Sequence, residues 1–219
     1  MGKTAIILGA TGLTGKLLLH RLLKDERYSK IMLFSRSTCG ISNPKLEEHL
    51  IDVFSLKDYQ DIFKGDVVFC CVGTTKVKTP DKETYVKIDY GIPVDSAELC
   101  KANNINTFIV VSALGANKNS NIFYNRTKGR MEEAVLGLQI PNTYILQPSL
   151  ITGDRQESRF GESLAKFVMK IFNPLLVGSL KTYKSIGAKT IANCMVWLNN
   201  HDYESGRITS DKIKILVNK

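Results

Sequence analysis

The stretch Lys3 to Gly15, KTAIILGATGLTG, decides the fold. Ala5, Ile6, Ile7 and Leu8 form an unbroken apolar run, the pattern of a strand buried on both faces. The run passes directly into Gly9, Gly12 and Gly15, and then into Lys16-Leu17-Leu18-Leu19, where a helix is expected. Gly9 permits a tight turn, Gly12 lets a pyrophosphate approach the backbone, and Gly15 lets the helix lie close on the sheet. The helix N-terminus then offers N–H groups and a positive dipole end to a phosphate. Three glycines alone are a weak signal, but a strand before them and a helix after them make a dinucleotide site the leading reading.

Working outward, Lys30 to Phe34 reads as a second buried strand, ending in Ser35-Arg36-Ser37. The end of such a strand meets the adenosine ribose, where an acidic residue holds the 2′-hydroxyl of NAD and an arginine pairs with the 2′-phosphate of NADP. Arg36 stands where the acid would be, so NADP(H) is favoured over NAD(H); a surface arginine is the plain alternative. Leu50 to Val53 is strand-like, and Asp52 is placed either to accept from the adenine amino group or to cap the helix that follows. Asp66 to Val72 is the clearest later strand, closing on Gly73-Thr74-Thr75, small residues that leave room for a cofactor. Lys76 to Thr84 reads as a loop, and a helical pattern through Val86 to Cys100 carries an irregularity at Pro93.

Thr107 to Val111 is another buried strand, and from Ile122 the period becomes helical, with Tyr124, Lys128, Met131, Val135 and Leu138 on one face. Thr143 to Gln147 is a further strand, followed by Pro148. Beyond it come a polar loop (Ile151 to Arg159), an amphipathic segment through Leu164, Phe167, Val168 and Ile171, an unassigned Leu175 to Val177, a helix over Ile186 to Leu198 and a last short strand, Gly206 to Thr209. Strands alternating with helices imply an α/β fold: a doubly wound, Rossmann-type parallel sheet of about seven strands with helices on both faces. No linker divides the chain, which reads as one domain over 1–219, with 149–185 forming a small substrate-side lobe.

Composition narrows the function classes. Hydrophobic residues are 43% and charged residues 23%, ordinary for a globular protein. The net charge of +9 is spread rather than clustered and lacks interleaved aromatics, so no nucleic-acid partner is expected. No apolar run is long enough to span a membrane. The chain enters its first strand at once, without a leader pattern, and a cytoplasmic protein is expected. The five cysteines and three histidines show no metal spacing, and Cys70 and Cys71, neighbours in a strand, should face opposite sides of the sheet.

Tyr124 and Lys128 are four residues apart on a helix and therefore adjacent. A nearby ammonium favours the phenolate, and the pair can exchange a proton with a carbonyl oxygen while a nicotinamide transfers hydride. Ser112, at the end of the preceding strand, is placed to polarise the same carbonyl. One Tyr-x-x-x-Lys pair is expected by chance in a chain with these residues, so its position after Ser112 carries the argument. A mere cap on the apolar stripe of that helix is the alternative.

GATGLTG, Ser112 and Tyr124-x-x-x-Lys128 resemble the short-chain dehydrogenase/reductase superfamily. CCVGTTK (Cys70 to Lys76), VSALGANKNSNIFYNRTKGRME (Val111 to Glu132) and QPSLITGDRQESR (Gln147 to Arg159) resemble its atypical Tat-interacting-protein group. The resemblance implies that Gly9, Thr11, Gly12, Leu13 and Gly15 hold the cofactor phosphates, that Arg36 sets NADP preference, and that Val72, Gly73 and Thr74 lie along the cofactor. It implies catalytic roles for Ser112, Tyr124 and Lys128, the lysine also holding the nicotinamide ribose, and places Pro148, Ser149 and Leu150 beside the nicotinamide. Many members add an asparagine from the preceding helix, where this chain has Asp89. Ser149, Arg155, Gln156 and Arg159 are then candidates to face the substrate.

Two functions follow. One is an NADPH-dependent reductase of a small carbonyl substrate, acting as a monomer or homodimer. The other is a non-catalytic NADP(H)-binding regulator that works through a protein partner, as the resemblance implies. A nucleotide-sugar epimerase is a weaker third reading, because little chain follows the sixth strand.

Overall fold

The computed structural model describes residues 2–153 and 182–218. Its frame is a seven-stranded sheet in the order β3-β2-β1-β4-β5-β6-β9. The strands are β1 (Lys3–Leu8), β2 (Tyr28–Ser35), β3 (Leu46–Leu50), β4 (Val67–Cys70), β5 (Thr107–Val111), β6 (Asn142–Gln147) and β9 (Gly206–Thr209). A separate pair, β7 (Ile151–Thr152) and β8 (Ile186–Gly187), lies beyond β6. Every pairing is parallel, so all seven C-terminal strand ends fall on one edge. β1 pairs with both β2 and β4, which makes its end the point where the strand order reverses and where ligands of such sheets bind.

The helices are α1 (Leu13–Leu23), α2 (Lys82–Val86), α3 (Ile92–Ala102), α4 (Phe123–Gly137), α5 (Ala188–Leu198) and α6 (Ser210–Val217). Alternation along β1 sends Ala5 and Ile7 into one core and Ile6 and Leu8 into the other. The first core takes Leu18, Leu19 and Leu22 of α1, Ile191 and Met195 of α5 and Ile213 of α6. The second takes Ala97 and Leu99 of α3 and Met131 and Val135 of α4. Cys70 belongs to the second core and Cys71 packs against the first, on opposite faces as expected.

Several expected boundaries move. The third strand is Leu46–Leu50 rather than 50–53, because Glu47, Glu48 and His49 interrupt the apolar pattern. An edge strand tolerates them: Glu47 pairs with Lys30 at 2.7 Å, and His49 stacks on Phe34. The expected loop over 76–84 ends early, since Asp81 accepts from the Thr84 N–H and starts α2 at Lys82. The irregularity expected at Pro93 lies just before it, as a π-helical turn over Lys87–Gly91. A proline ring collides with the carbonyl four residues back and supplies no N–H. The wider turn, in which the Ile92 N–H reaches Lys87 O, absorbs both effects. Ile186–Gly187 is the strand β8 rather than the start of α5, and α6 was not anticipated. The expected helix through Leu164 to Ile171 and the segment Leu175 to Val177 lie outside the described residues.

Candidate functional site

Gly9 has φ +80°, a conformation that disfavours any residue with a Cβ. A Cβ there would come within 2.9 Å of the Cys71 carbonyl carbon, so the turn after β1 is pressed against the chain leaving β4. The Gly12 N–H donates to Gly9 O at 3.0 Å and closes the turn. At Gly15 the place of a Cβ is already taken by the Gly9 carbonyl oxygen, which lets α1 pack directly on the loop. Gly12 is the N-cap of α1 and brings no side-chain cap, so the first-turn N–H groups are left to a ligand. This cradle fits a pyrophosphate. Thr11 is exposed beside it, whereas Leu13 lies against Gly153, whose Cβ would sit 3.0 Å from Leu13 Cδ1.

Arg36 follows β2 on the same edge, exposed and without an ion-pair partner among the described residues. Of the two roles left open for Asp52, the structure shows capping: its side chain accepts from the Phe54 N–H at 3.0 Å and starts a 3-10 helix (Val53–Tyr59).

Deeper in, three elements converge. Lys128 of α4 and Asp89 of the π turn form an ion pair, Nζ to Oδ1 at 2.8 Å, with side chains only 4% and 1% exposed. The other Asp89 oxygen accepts from the Thr74 N–H at 2.8 Å. Gly73 roofs the pair: a Cβ on it would lie 3.5 Å from Asp89 Oδ1 and 3.7 Å from Lys128 Nζ. Val72 packs on the second core beneath this roof. Burial alone would push the Lys128 ammonium down, but Asp89 and Tyr124 hold it above its ordinary value, so it stays charged. Tyr124, one turn before Lys128, stands at the rim with 38% of its surface exposed.

Lys128 favours the Tyr124 phenolate as expected, but its pull is outweighed. Burial raises the phenol above its ordinary value; Lys128 pulls down without prevailing, and Asp89 adds to the rise. Ser112 lies buried at the end of β5. Its hydroxyl donates to Glu132 Oε1 at 2.5 Å, and Glu132, fully buried, also accepts from Gln147 Nε2 at 3.0 Å and Arg207 Nε at 2.6 Å. The Ser112 hydroxyl thus has a buried partner on α4. The Ser149 hydroxyl donates to Lys184 O at 2.5 Å and lies 3.0 Å from Ser210 Oγ, tying the segment after β6 to α6. Pro148 O accepts from the Leu114 N–H, which links the segments leaving β5 and β6, and Leu150 is exposed. Arg155, Gln156 and Arg159 lie outside the described residues.

The structure adds residues that sequence reading passed over. Tyr85 of α2 is buried, meets Phe123 edge-on and points its hydroxyl at Thr74 O, 3.5 Å away. Burial, Asp89 and Tyr124 all hold its phenol protonated. Glu132 was legible in principle, one helical turn beyond Lys128 on the same face. Gly129 also escaped notice: the space for a Cβ is filled by Asn117 and Lys118, so the loop after β5 lies directly on α4.

A glycine turn at the switch point of a parallel sheet, with a tyrosine, a lysine and a carboxylate gathered at the neighbouring strand ends, defines a dinucleotide-binding protein of the short-chain dehydrogenase/reductase fold. Comparison with known proteins makes the class specific. Residues 9–166 match the family model described as NAD(P)H-binding. The chain is 36% identical over 168 residues to Protein HTATIP2 of Rattus norvegicus, covering 75% of this chain and 69% of that one. It is 35% identical over 178 residues to Protein FMP52, mitochondrial, of Meyerozyma guilliermondii, covering 77% and 75%. This chain belongs to the NAD(P)H-binding family, in the atypical short-chain dehydrogenase/reductase group with HTATIP2 and FMP52. Among solved structures, a UDP-N-acetylglucosamine 4-epimerase from Methanobrevibacter ruminantium superposes with a TM-score of 0.71 at 19% identity, covering 98% of this chain and 80% of that one. That likeness shows the fold alone.

The cytoplasmic expectation does not stand. Fungal relatives from several species carry the word mitochondrial in their names, and absence of a leader pattern was its main support. Among the described residues, no helix is long and apolar enough to cross a membrane.

Proposed function

We propose that the protein is an NADPH-dependent reductase of a small carbonyl compound. The observation that carries this reading is the buried Lys128–Asp89 pair under Gly73, next to a tyrosine held in its protonated form. A bound reduced nicotinamide supplies the hydride. Tyr124 holds and delivers the proton, Lys128 keeps its charge and fixes the tyrosine's surroundings, and Gly9, Gly12 and Gly15 hold the phosphates. Arg36 selects the 2′-phosphate, and the chain acts as a single domain; most of the substrate-side lobe expected over 149–185 lies outside the described residues. Consumption of NADPH with a panel of aldehydes and ketones tests the reading. Loss of turnover in Tyr124→Phe with retained cofactor binding is expected; full activity in that variant rejects the role of Tyr124.

A second reading, a non-catalytic NADP(H)-binding regulator acting through a protein partner, has one observation in its favour. The Ser112 hydroxyl donates to Glu132, so the serine of the expected catalytic set already has a buried partner. Tight NADPH binding without turnover of any carbonyl, together with a partner interaction that responds to cofactor, would favour it.

A further inference from the structure

We propose that Glu48 is a positioning residue for cofactor choice: it fixes the turn after β2 so that Arg36 is held ready for the 2′-phosphate of NADPH. The inference rests on the reading of Arg36 as the partner of that phosphate, and the experiment below separates the two.

The chain leaving β2 is anchored on both sides of Arg36. Before it, Ser35 is buried; its carbonyl accepts from the Ile51 N–H at 2.9 Å and its hydroxyl donates to Ser37 O at 2.8 Å. After it, Glu48 of β3 grips the turn with both carboxylate oxygens. Oε2 accepts from the Thr38 hydroxyl at 2.7 Å and Oε1 from the Cys39 N–H at 2.8 Å. The Gly40 N–H then donates to Thr38 Oγ1 at 3.1 Å, with Gly40 at φ +69°. Alternation along β3 leaves Glu48 available for this grip. Glu47 pairs with Lys30 and His49 on one face, and Glu48 takes the other, with Leu46, which packs beside Cys39 and Ile41 against the first core. Burial draws the Glu48 carboxyl up, yet the Cys39 N–H and the Thr38 hydroxyl hold it below the ordinary carboxylate range. The turn is therefore gripped by a charged acceptor, the stronger kind.

Arg36 stands between these anchors, exposed and without an ion-pair partner among the described residues. A guanidinium on a loose turn gives up backbone as well as side-chain freedom when it meets a phosphate, and every group ordered on binding subtracts from affinity. Here the backbone is ordered on folding, so a phosphate has only the arginine side chain to order. NADH lacks the phosphate and gains nothing from the arrangement. The Glu48 charge by itself repels a phosphate, so a role in geometry and a role in charge predict opposite signs.

The test is calorimetric titration of the full chain with NADPH and with NADH. Glu48→Ala removes both hydrogen bonds and is expected to weaken NADPH binding by about 3- to 10-fold while NADH binding changes by less than about 2-fold. Glu48→Gln keeps an oxygen for the Cys39 N–H and an amide that can donate to Thr38 Oγ1, and is expected to restore most of the lost affinity. In an Arg36→Ala background, Glu48→Ala is expected to have no further effect on NADPH. Thr38→Val keeps the side-chain shape and removes one of the two hydrogen bonds; it is expected to give a smaller loss of the same kind, and stands in if Glu48→Ala does not fold. Unchanged NADPH affinity in Glu48→Ala, or in Thr38→Val where it stands in, overturns the proposal. Equal weakening of both cofactors, or a loss that persists without Arg36, does the same, because a merely structural residue behaves so. Tighter NADPH binding in both Glu48 variants also overturns it and leaves Glu48 a repelling charge. If Arg36→Ala alone leaves NADPH binding unchanged, the reading of Arg36 falls and the proposal with it. If Arg36→Ala weakens NADPH and Glu48→Ala does not, the proposal falls and Arg36 stands.

Discussion

The Ser112 hydroxyl donates to Glu132 Oε1 at 2.5 Å, and both side chains are buried. Glu132 gathers Ser112 from the end of β5, Gln147 from the end of β6 and Arg207 from β9, so three neighbouring strands are tied to α4 through one carboxylate. Ser112 thereby ties the end of β5 to the helix that carries Tyr124 and Lys128.

Ser112→Ala should therefore cost about 1 kcal/mol of stability, one hydrogen bond among several at Glu132. Turnover should change only a few-fold, whereas loss of a donor to a developing oxyanion costs about 100-fold or more. Glu132→Gln should lose roughly 1–3 kcal/mol, since Arg207 keeps its charge with a weaker partner. Arg207 is open enough to water that the larger penalty of a fully buried pair does not apply. Urea unfolding and steady-state rates on the two variants decide between strut and donor.

The glycines divide into structural and binding positions. Gly15→Ala drives a methyl into the Gly9 carbonyl and should destabilise the fold by roughly 1–3 kcal/mol even without cofactor. Gly12→Ala places its Cβ 3.3 Å from Gly9 O, which a slight adjustment accommodates. Its apo melting temperature should stay near that of the wild type while stabilisation by NADPH falls. Equal loss of apo stability in both variants would remove Gly12 from the cradle.

Arg36→Ala should weaken NADPH binding by about 10-fold or more, the value of a charge-assisted contact to phosphate, and leave NADH binding unchanged. Thermal shifts with NADPH, NADP, NADH and NAD on both proteins read this out. Equal stabilisation of the wild type by phosphorylated and unphosphorylated cofactors would end the argument for Arg36.

Acid should weaken the turn before β2. Asp25 accepts from Arg27 Nε at 2.9 Å and Nη2 at 2.6 Å, and these hydrogen bonds hold its carboxyl below the ordinary 3.8. A depressed folded-state value means stability that is complete above the unfolded value and lost as pH falls through the folded one. The wild type should exceed Asp25→Asn by about 0.5–1 kcal/mol at neutral pH, Arg27 being half in water. The gap should close at the acid end. A gap that persists there would mean the carboxylate charge is not its source.

Legibility followed the range of the forces involved. The apolar runs of β1, β2, β4, β5 and β6 announced buried parallel strands, and the spacing of Tyr124, Lys128, Met131 and Val135 announced α4. Edge strand β3 was missed because Glu47, Glu48 and His49 are tolerated only where one side of the strand is open. The π turn was half seen: Pro93 signalled a disturbance, but how the helix absorbed it depended on packing around Asp89.

The sequence by itself determined the strand–glycine turn–helix unit and the edge of the sheet where chemistry gathers, because side-chain periodicity and the steric demands of Gly9 and Gly15 act between near neighbours. Only the tertiary structure decided where the polar hydrogens and charges point. Ser112 meets Glu132, and Lys128 meets Asp89, across elements that the chain brings together from a distance. A buried polar group takes whichever partner the fold delivers, because going unpaired costs more than any local preference can offset.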